Sequence, residues 1–204
     1  EPPLDHMGGI YGFLAPTWDT RRQPGEWQVF DVTLVGRIVS VEMNGTRVIT
    51  EREIPGITGG ALDNDELTLA YQPKVALRGA GGEHYSEALV RWRHPTRGLV
   101  APIEFIPFAE QTGYIRAITQ WVLAHAIAQC AEWRFNGLPM NVSINLSTRD
   151  LVDETLPDRF AALLQRHRCA AQWICLEITE SAVLDDPEHA IRNLERLHAL
   201  GCRL

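Results

Sequence analysis

The chain has 204 residues, a formal net charge of −7, 45% hydrophobic and 22% charged side chains. That is ordinary globular make-up, long enough for one or two domains with cores. The acidic balance excludes a general nucleic-acid binder, which carries a basic face. No apolar run is long enough to span a bilayer and no signal-peptide pattern is present. Cys130, Cys169, Cys175 and Cys202 form no Cys-x-x-Cys pair and have no His at metal spacing. They read as reduced thiols packed as small hydrophobes, and the location expected is cytoplasmic.

The composition changes near Glu66. Up to that residue there are 11 acidic and 5 basic side chains; beyond it there are 15 and 14, with all four cysteines and the one lysine, Lys74. The sequence therefore predicts two domains, residues 1–66 and 67–204.

Residues 26–35 are rich in aromatic and β-branched side chains and predict a strand. Residues 37–43 predict a second, and residues 46–50 a third returning from Asn44-Gly45, a two-residue hairpin signal. Residues 54–66 read as a loop, and no helix pattern occurs before it. The segments Gly9-Ile10-Tyr11-Gly12, Pro24-Gly25-Glu26-Trp27 and Val39-Ser40-Val41-Glu42-Met43-Asn44-Gly45 resemble the 3-keto-disaccharide hydrolase (glucanase-like) family. That resemblance implies the later strands of a concanavalin-like β-sandwich. Trp18 and Trp27 can stack on a sugar ring, but a strand tryptophan more often packs its sheet.

The second part alternates strands with helices. Strands are predicted at 67–78 and 85–92, separated by a turn at 79–82, then at 141–147 and 173–179. Helices are predicted at 102–112, 115–135, 156–167 and 187–200, and residues 202–204 begin another strand. Such alternation implies a parallel α/β sheet or barrel.

The strand faces carry the functional signal. Val142, Ile144 and Leu146 share one face of their strand, and Asn141, Ser143, Asn145 and Ser147 the other. Ile174, Leu176 and Ile178 stand opposite Cys175, Glu177 and Thr179, and Glu87, Leu89 and Arg91 line up on the earlier strand. Glu87, Asn145 and Glu177 thus aim at one interior, where unpaired carboxylates are costly. A hard divalent cation held by oxygen ligands resolves that cost. So does a polar network pairing Glu87 with Arg91, Glu177 with Arg149 and Asn145 with backbone. Patterning alone leaves both open.

Glu87-Ala88-Leu89-Val90-Arg91-Trp92 resembles the signature of the EAL family of cyclic di-GMP phosphodiesterases. Tyr71-Gln72-Pro73, Trp92-Arg93-His94-Pro95, Pro102-Ile103-Glu104-Phe105-Ile106-Pro107, Ala109-Glu110-Gln111-Thr112-Gly113, Asn145-Leu146-Ser147 and Glu177-Ile178-Thr179-Glu180 follow in the family's order. The resemblance implies part of a TIM-type barrel with an antiparallel first strand, and hydrolysis of cyclic di-GMP to pGpG with Mg²⁺ or Mn²⁺. It implies Glu87, Asn145 and Glu177 as metal ligands, Arg91 on a substrate phosphate, Gln72 on the nucleotide, and Glu180 as support or cap. The family continues with an Asp-Asp-Phe-Gly-Thr-Gly loop and later a Lys, a Glu and a Gln near the metals. These are not in the sequence, and Lys74 lies too early to match that Lys, so the chain by itself is expected to be inactive. The alternatives are a cyclic di-GMP-binding module without turnover and a carbohydrate-related function of residues 1–66. A homo-oligomer is compatible with the sequence.

Overall fold

In the computed structural model the described residues are 7, 9, 14–35, 38–53, 61–62, 65–75, 84–95, 97–178 and 186–204. The chain divides into two units, Glu1–Asp63 and Asn64–Leu204. Among the described residues no helix is long and apolar enough to cross a membrane.

The first unit holds an antiparallel sheet of β1 (Phe30–Val35), β2 (Ile38–Met43) and β3 (Thr46–Glu53), in that order. The β2–β3 turn works because Asn44 and Gly45 both take positive φ, 54° and 80°, matching the twist of the strands. The Asn44 side chain then fastens the turn. Its amide donates to the Thr20 carbonyl and to Gln28 Oε1, both at 2.8 Å, and its oxygen accepts from the Val29 amide at 2.9 Å. Alternation in β2 buries Val39, Val41 and Met43 against Val48, Ile49 and Leu14, a small core. β1 buries nothing: Phe30, Val32 and Leu34 are exposed. Trp18 and Trp27 are 63% and 89% exposed, so neither packs the sheet as expected. Ala61 and Leu62 are helical where the sequence predicts a loop. Ile10, Tyr11 and Gly12, which belong to the first of the glucanase-like segments, and residues 54–60 of the predicted loop lie outside the described residues.

The second unit is built on a sheet ordered β4 (Leu67–Lys74), β5 (His84–His94), β7 (Met140–Asn145), β8 (Ile174–Glu177), with β6 (Gly98–Val100) added to the end of β5. β4 runs antiparallel to β5, while β5, β7 and β8 are parallel. The edge position of β4 tolerates Pro73, which has no N–H to donate. Arg203 makes a parallel bridge to Cys175, with Leu176 N donating to Arg203 O at 2.8 Å, so strand character does begin at the last residues.

Helices α1 (Pro102–Thr112), α2 (Ile115–Phe135), α3 (Thr148–Leu151), α4 (Leu156–His167) and α5 (Pro187–Ala199) complete the unit. Gly113 ends α1 in the left-handed region at φ 77°, its N–H donating to Glu110 O. The apolar stripe of α2, from Ile115 and Ile118 through Val122 to Ile127, is buried. It lies against β7, where Val142 and Ile144 are fully buried; Ile174 and Leu176 of β8 are also at most 1% exposed. Trp92, Phe105 and Phe160 are fully buried in the same core. Each contributes about 1.5–3 kcal/mol by leaving water. The indole of Trp92 keeps its polar end satisfied by donating to Glu66 Oε2 at 2.9 Å.

Candidate functional site

Side chains alternate along a strand, so burying Val142 and Ile144 against α2 turns Asn145 the other way. The same alternation in β8 buries Ile174 and Leu176 and turns Cys175 and Glu177 toward the opposite face. Register does the rest. Asn145 is the Cα partner of Glu177, Ser143 that of both Cys175 and Glu87, and Gln72 that of Glu87 across the antiparallel pair. Register on four strands therefore sets Gln72, Glu87, Asn145 and Glu177 on one face, the last three near enough for contact.

The side chains meet. Asn145 Nδ2 donates to Glu87 Oε1 at 2.8 Å. Glu177 forms an ion pair and hydrogen bond with Lys74, whose Nζ also lies 3.9 Å from Glu87 Oε2 and 3.2 Å from Ser143 Oγ. The pairings foreseen for the polar network, Glu87 with Arg91 and Glu177 with Arg149, give way to these contacts. Arg91 sits further along the inner face of β5, half-buried, with Nη1 donating to the Val90 carbonyl at 2.8 Å. Gln72 is exposed on the edge strand. Thr179 and Glu180 lie outside the described residues.

Lys74 was the unforeseen member. Its signal was available in the sequence: it is the only lysine of the chain, two positions from Gln72 and so on the same face of its strand. Burial works to lower the pKa of its ammonium, but the hydrogen bond and charge of Glu177 and the charge of Glu87 outweigh that and hold it above the usual lysine value. The Cys175 thiol is pushed up by burial and by the charge of Glu177, against opposing contributions from Ser143 and Lys74.

The chain after Asn145 is fixed by a buried carboxylate. Ser147 caps α3 in a capping box with Asp150, a Ser-x-x-Asp signature legible in the sequence. Asp150, 1% exposed, accepts from Ser147 N at 2.9 Å, Ser147 Oγ at 2.6 Å and Thr119 Oγ1 at 2.7 Å. Burial raises its pKa, opposed by those hydrogen bonds and by the charge of Arg159. An apolar cavity of about 390 Å³ opens beside Asn145, lined by Leu89, Ile103, Ile106, Pro107, Ile118 and Ser147 among others. A larger one of about 480 Å³, lined by Arg134, Phe135, His167 and Trp173, lies by the opposite strand ends and holds none of these residues.

The donor set suits a hard cation: two carboxylates already drawn around the ammonium of Lys74 as a stand-in, and an amide side chain bonded to one of them. Among the described residues no cluster of three or more His, Cys, Asp and Glu forms a metal site of its own.

The EAL domain family matches residues 59–204. Cyclic di-GMP phosphodiesterase PdeR of Escherichia coli (strain K12) is 37% identical over 144 residues, 71% of this chain and 22% of PdeR. Cyclic di-GMP phosphodiesterase PA2567 of Pseudomonas aeruginosa is 38% identical over 133 residues, 65% of this chain and 22% of that protein. The chain thus spans about 22% of the length of these relatives. The solved PaMucR phosphodiesterase in complex with c-di-GMP is 39% identical with a TM-score of 0.64, over 70% of this chain and 57% of that one. The FimX EAL domain of Pseudomonas aeruginosa bound to c-di-GMP has a TM-score of 0.64 at 26% identity, with the same coverages. With the family match covering most of its length, and its second unit folded like those domains, the chain belongs to the EAL domain family.

Proposed function

We propose that the second unit is the part of a cyclic di-GMP phosphodiesterase site that holds the first cation and one face of the dinucleotide. The observation that carries this reading is the convergence of Glu87 and Glu177 on one positive charge, with Asn145 from the strand between them bonded to Glu87. Glu87, Asn145 and Glu177 would hold Mg²⁺ or Mn²⁺. Such an ion polarises a phosphate and makes its bound water a better nucleophile. Arg91 offers a planar fork of donors for phosphate oxygens. Gln72, facing Glu87 across the β4–β5 pair, offers an amide to the nucleotide. The apolar cavity beside Asn145 gives a base a dry seat. In the hydrolysis, water adds across one phosphodiester bond and linear pGpG results.

Three ligands suffice for one ion, and saturable binding of cyclic di-GMP is the expected behaviour. Calorimetry with Mn²⁺ present tests the reading. Saturable binding that weakens by roughly tenfold or more in Arg91→Ala, the loss of one charge-assisted hydrogen bond, supports it. No binding with or without Mn²⁺ overturns it. Turnover would be followed as pGpG by chromatography.

For residues 1–66 a carbohydrate-related, concanavalin-like reading is a second proposal, favoured by the 89% exposure of Trp27. A glycan array that shows no signal dependent on Trp27 ends it.

A further inference from the structure

We propose that Lys74 is a tethered counter-ion for the cation site, so that a divalent metal binds by displacing its ammonium from Glu177. This rests on the metal reading of Glu87, Asn145 and Glu177 above. Lys74 is the last residue of an edge strand, and its side chain is 39% exposed. From there it reaches across the sheet to Glu177, with Glu87 and Ser143 completing its surroundings. Glu87 and Glu177 are only 24% and 30% exposed, so water neutralises their mutual repulsion poorly.

The ammonium does what a metal would do there, with three differences. It carries one charge instead of two, it accepts no ligand electrons, and it is bonded to the chain. Both cations need the lone pairs of Glu177. An ammonium and a divalent ion held by the same carboxylates also repel each other. The lysine stem has four flexible carbons, and its half-exposed position lets the head swing into water. The carboxylates therefore stay neutralised before metal arrives, and the site's metal threshold is set by a residue that is not a ligand. Asn145 can keep its Nδ2 bond to Glu87 Oε1 through this exchange, since that is not the oxygen nearest the ammonium, and its Oδ1 is left for the metal.

The test is Mn²⁺ binding to the full chain, read as the loss of the free-ion electron paramagnetic signal, without nucleotide. Lys74→Met and Lys74→Gln should both bind Mn²⁺ roughly tenfold more tightly than the parent, within the usual range of coupling between two sites. Lys74→Arg, which keeps the charge, should stay near the parent. On a Glu177→Gln background, Lys74→Met should bring no gain, because the shared partner is gone. Thermal melts of Lys74→Met and Lys74→Gln identify any variant that fails to fold, and the other then decides. Equal or weaker binding in the neutral variants overturns the counter-ion role and leaves the metal site standing. No Mn²⁺ binding in any variant, parent included, overturns both.

Discussion

Asp150→Ala is the sharpest probe of how the site is held. Asp150 is 1% exposed and accepts three hydrogen bonds, from the amide and hydroxyl of Ser147 and the hydroxyl of Thr119. Removing the carboxylate leaves the Ser147 amide without its partner, at about 1–3 kcal/mol for a buried donor. Loss of the reciprocal cap of α3 adds about 0.5–2 kcal/mol. Relief from burying a carboxylate offsets part of this. The net expected loss is about 3 kcal/mol. It is local: it falls on the turn after β7, and on α2 through Thr119. Hydrogen exchange followed by mass spectrometry reads it where it occurs. Peptides covering β7 and α2 should exchange roughly 150-fold faster, at about tenfold per 1.4 kcal/mol. Ser147 lies two residues beyond Asn145, so Mn²⁺ affinity should fall in parallel. Asp150→Asn keeps an acceptor oxygen and should fall between parent and Asp150→Ala. Exchange within about threefold of the parent in Asp150→Ala would refute the reasoning, since the network would then contribute almost nothing.

Three further outcomes are expected. Burial raises the folded-state pKa of Asp150 above the ordinary 3.8. Its contribution to stability is thus present below the unfolded value and lost as pH rises through the raised one; the parent's urea midpoint, measured against that of Asp150→Asn, should fall across that window and run level above it. Phe160→Ala empties a fully buried position between α4 and its neighbours and should lower stability by about 3–5 kcal/mol, seen in the urea midpoint at unchanged slope. Gly113→Ala meets no close side chain, its nearest neighbour being Arg149 Nη1 at 3.8 Å; the φ of 77° should still cost about 1–2 kcal/mol, read in the same melts.

The helices were legible because their signals are local. Pro102 and Gly113 bracket α1, Gly137 follows α2, and the stripe from Ile115 to Ile127 keeps a helical period; both helices have the predicted bounds. The strands were legible as faces, since Val142 and Ile144 are buried while Asn145 points away. Their ends were not. The predicted strand at 141–147 stops at Asn145 because Ser147 leaves the sheet to cap α3, a four-residue helix too short to show a period. The three residues of β6 are likewise set by pairing with β5 and not by pattern. At the site, Glu87, Asn145 and Glu177 could be placed on one face, but not their partners. Which cation meets Glu177 depends on the reach of Lys74 across a sheet, over 103 positions of sequence. The exposure of Trp18 and Trp27 was also invisible, because a tryptophan beside a strand has the same sequence whether or not its sheet covers it.

The strand order of the second unit has a bearing on how the molecule is made. β4, β5, β7 and β8 lie side by side in the order in which they are synthesised, apart from the short β6. Each new strand can dock on an edge that already exists, and the entropy cost of closing the intervening chain grows only slowly with its length. Synthesis runs at about 5–20 residues per second, and N-terminal parts order first. Gln72 and Glu87 are thus set when the first hairpin zips, Asn145 joins with β7, and Glu177 comes last. A slip of one residue at any docking would turn the polar site residue of that strand toward the core and its apolar neighbours to the other face. A nascent chain in which Glu87, Asn145 and Glu177 have come to share one face has therefore passed three register checks in succession.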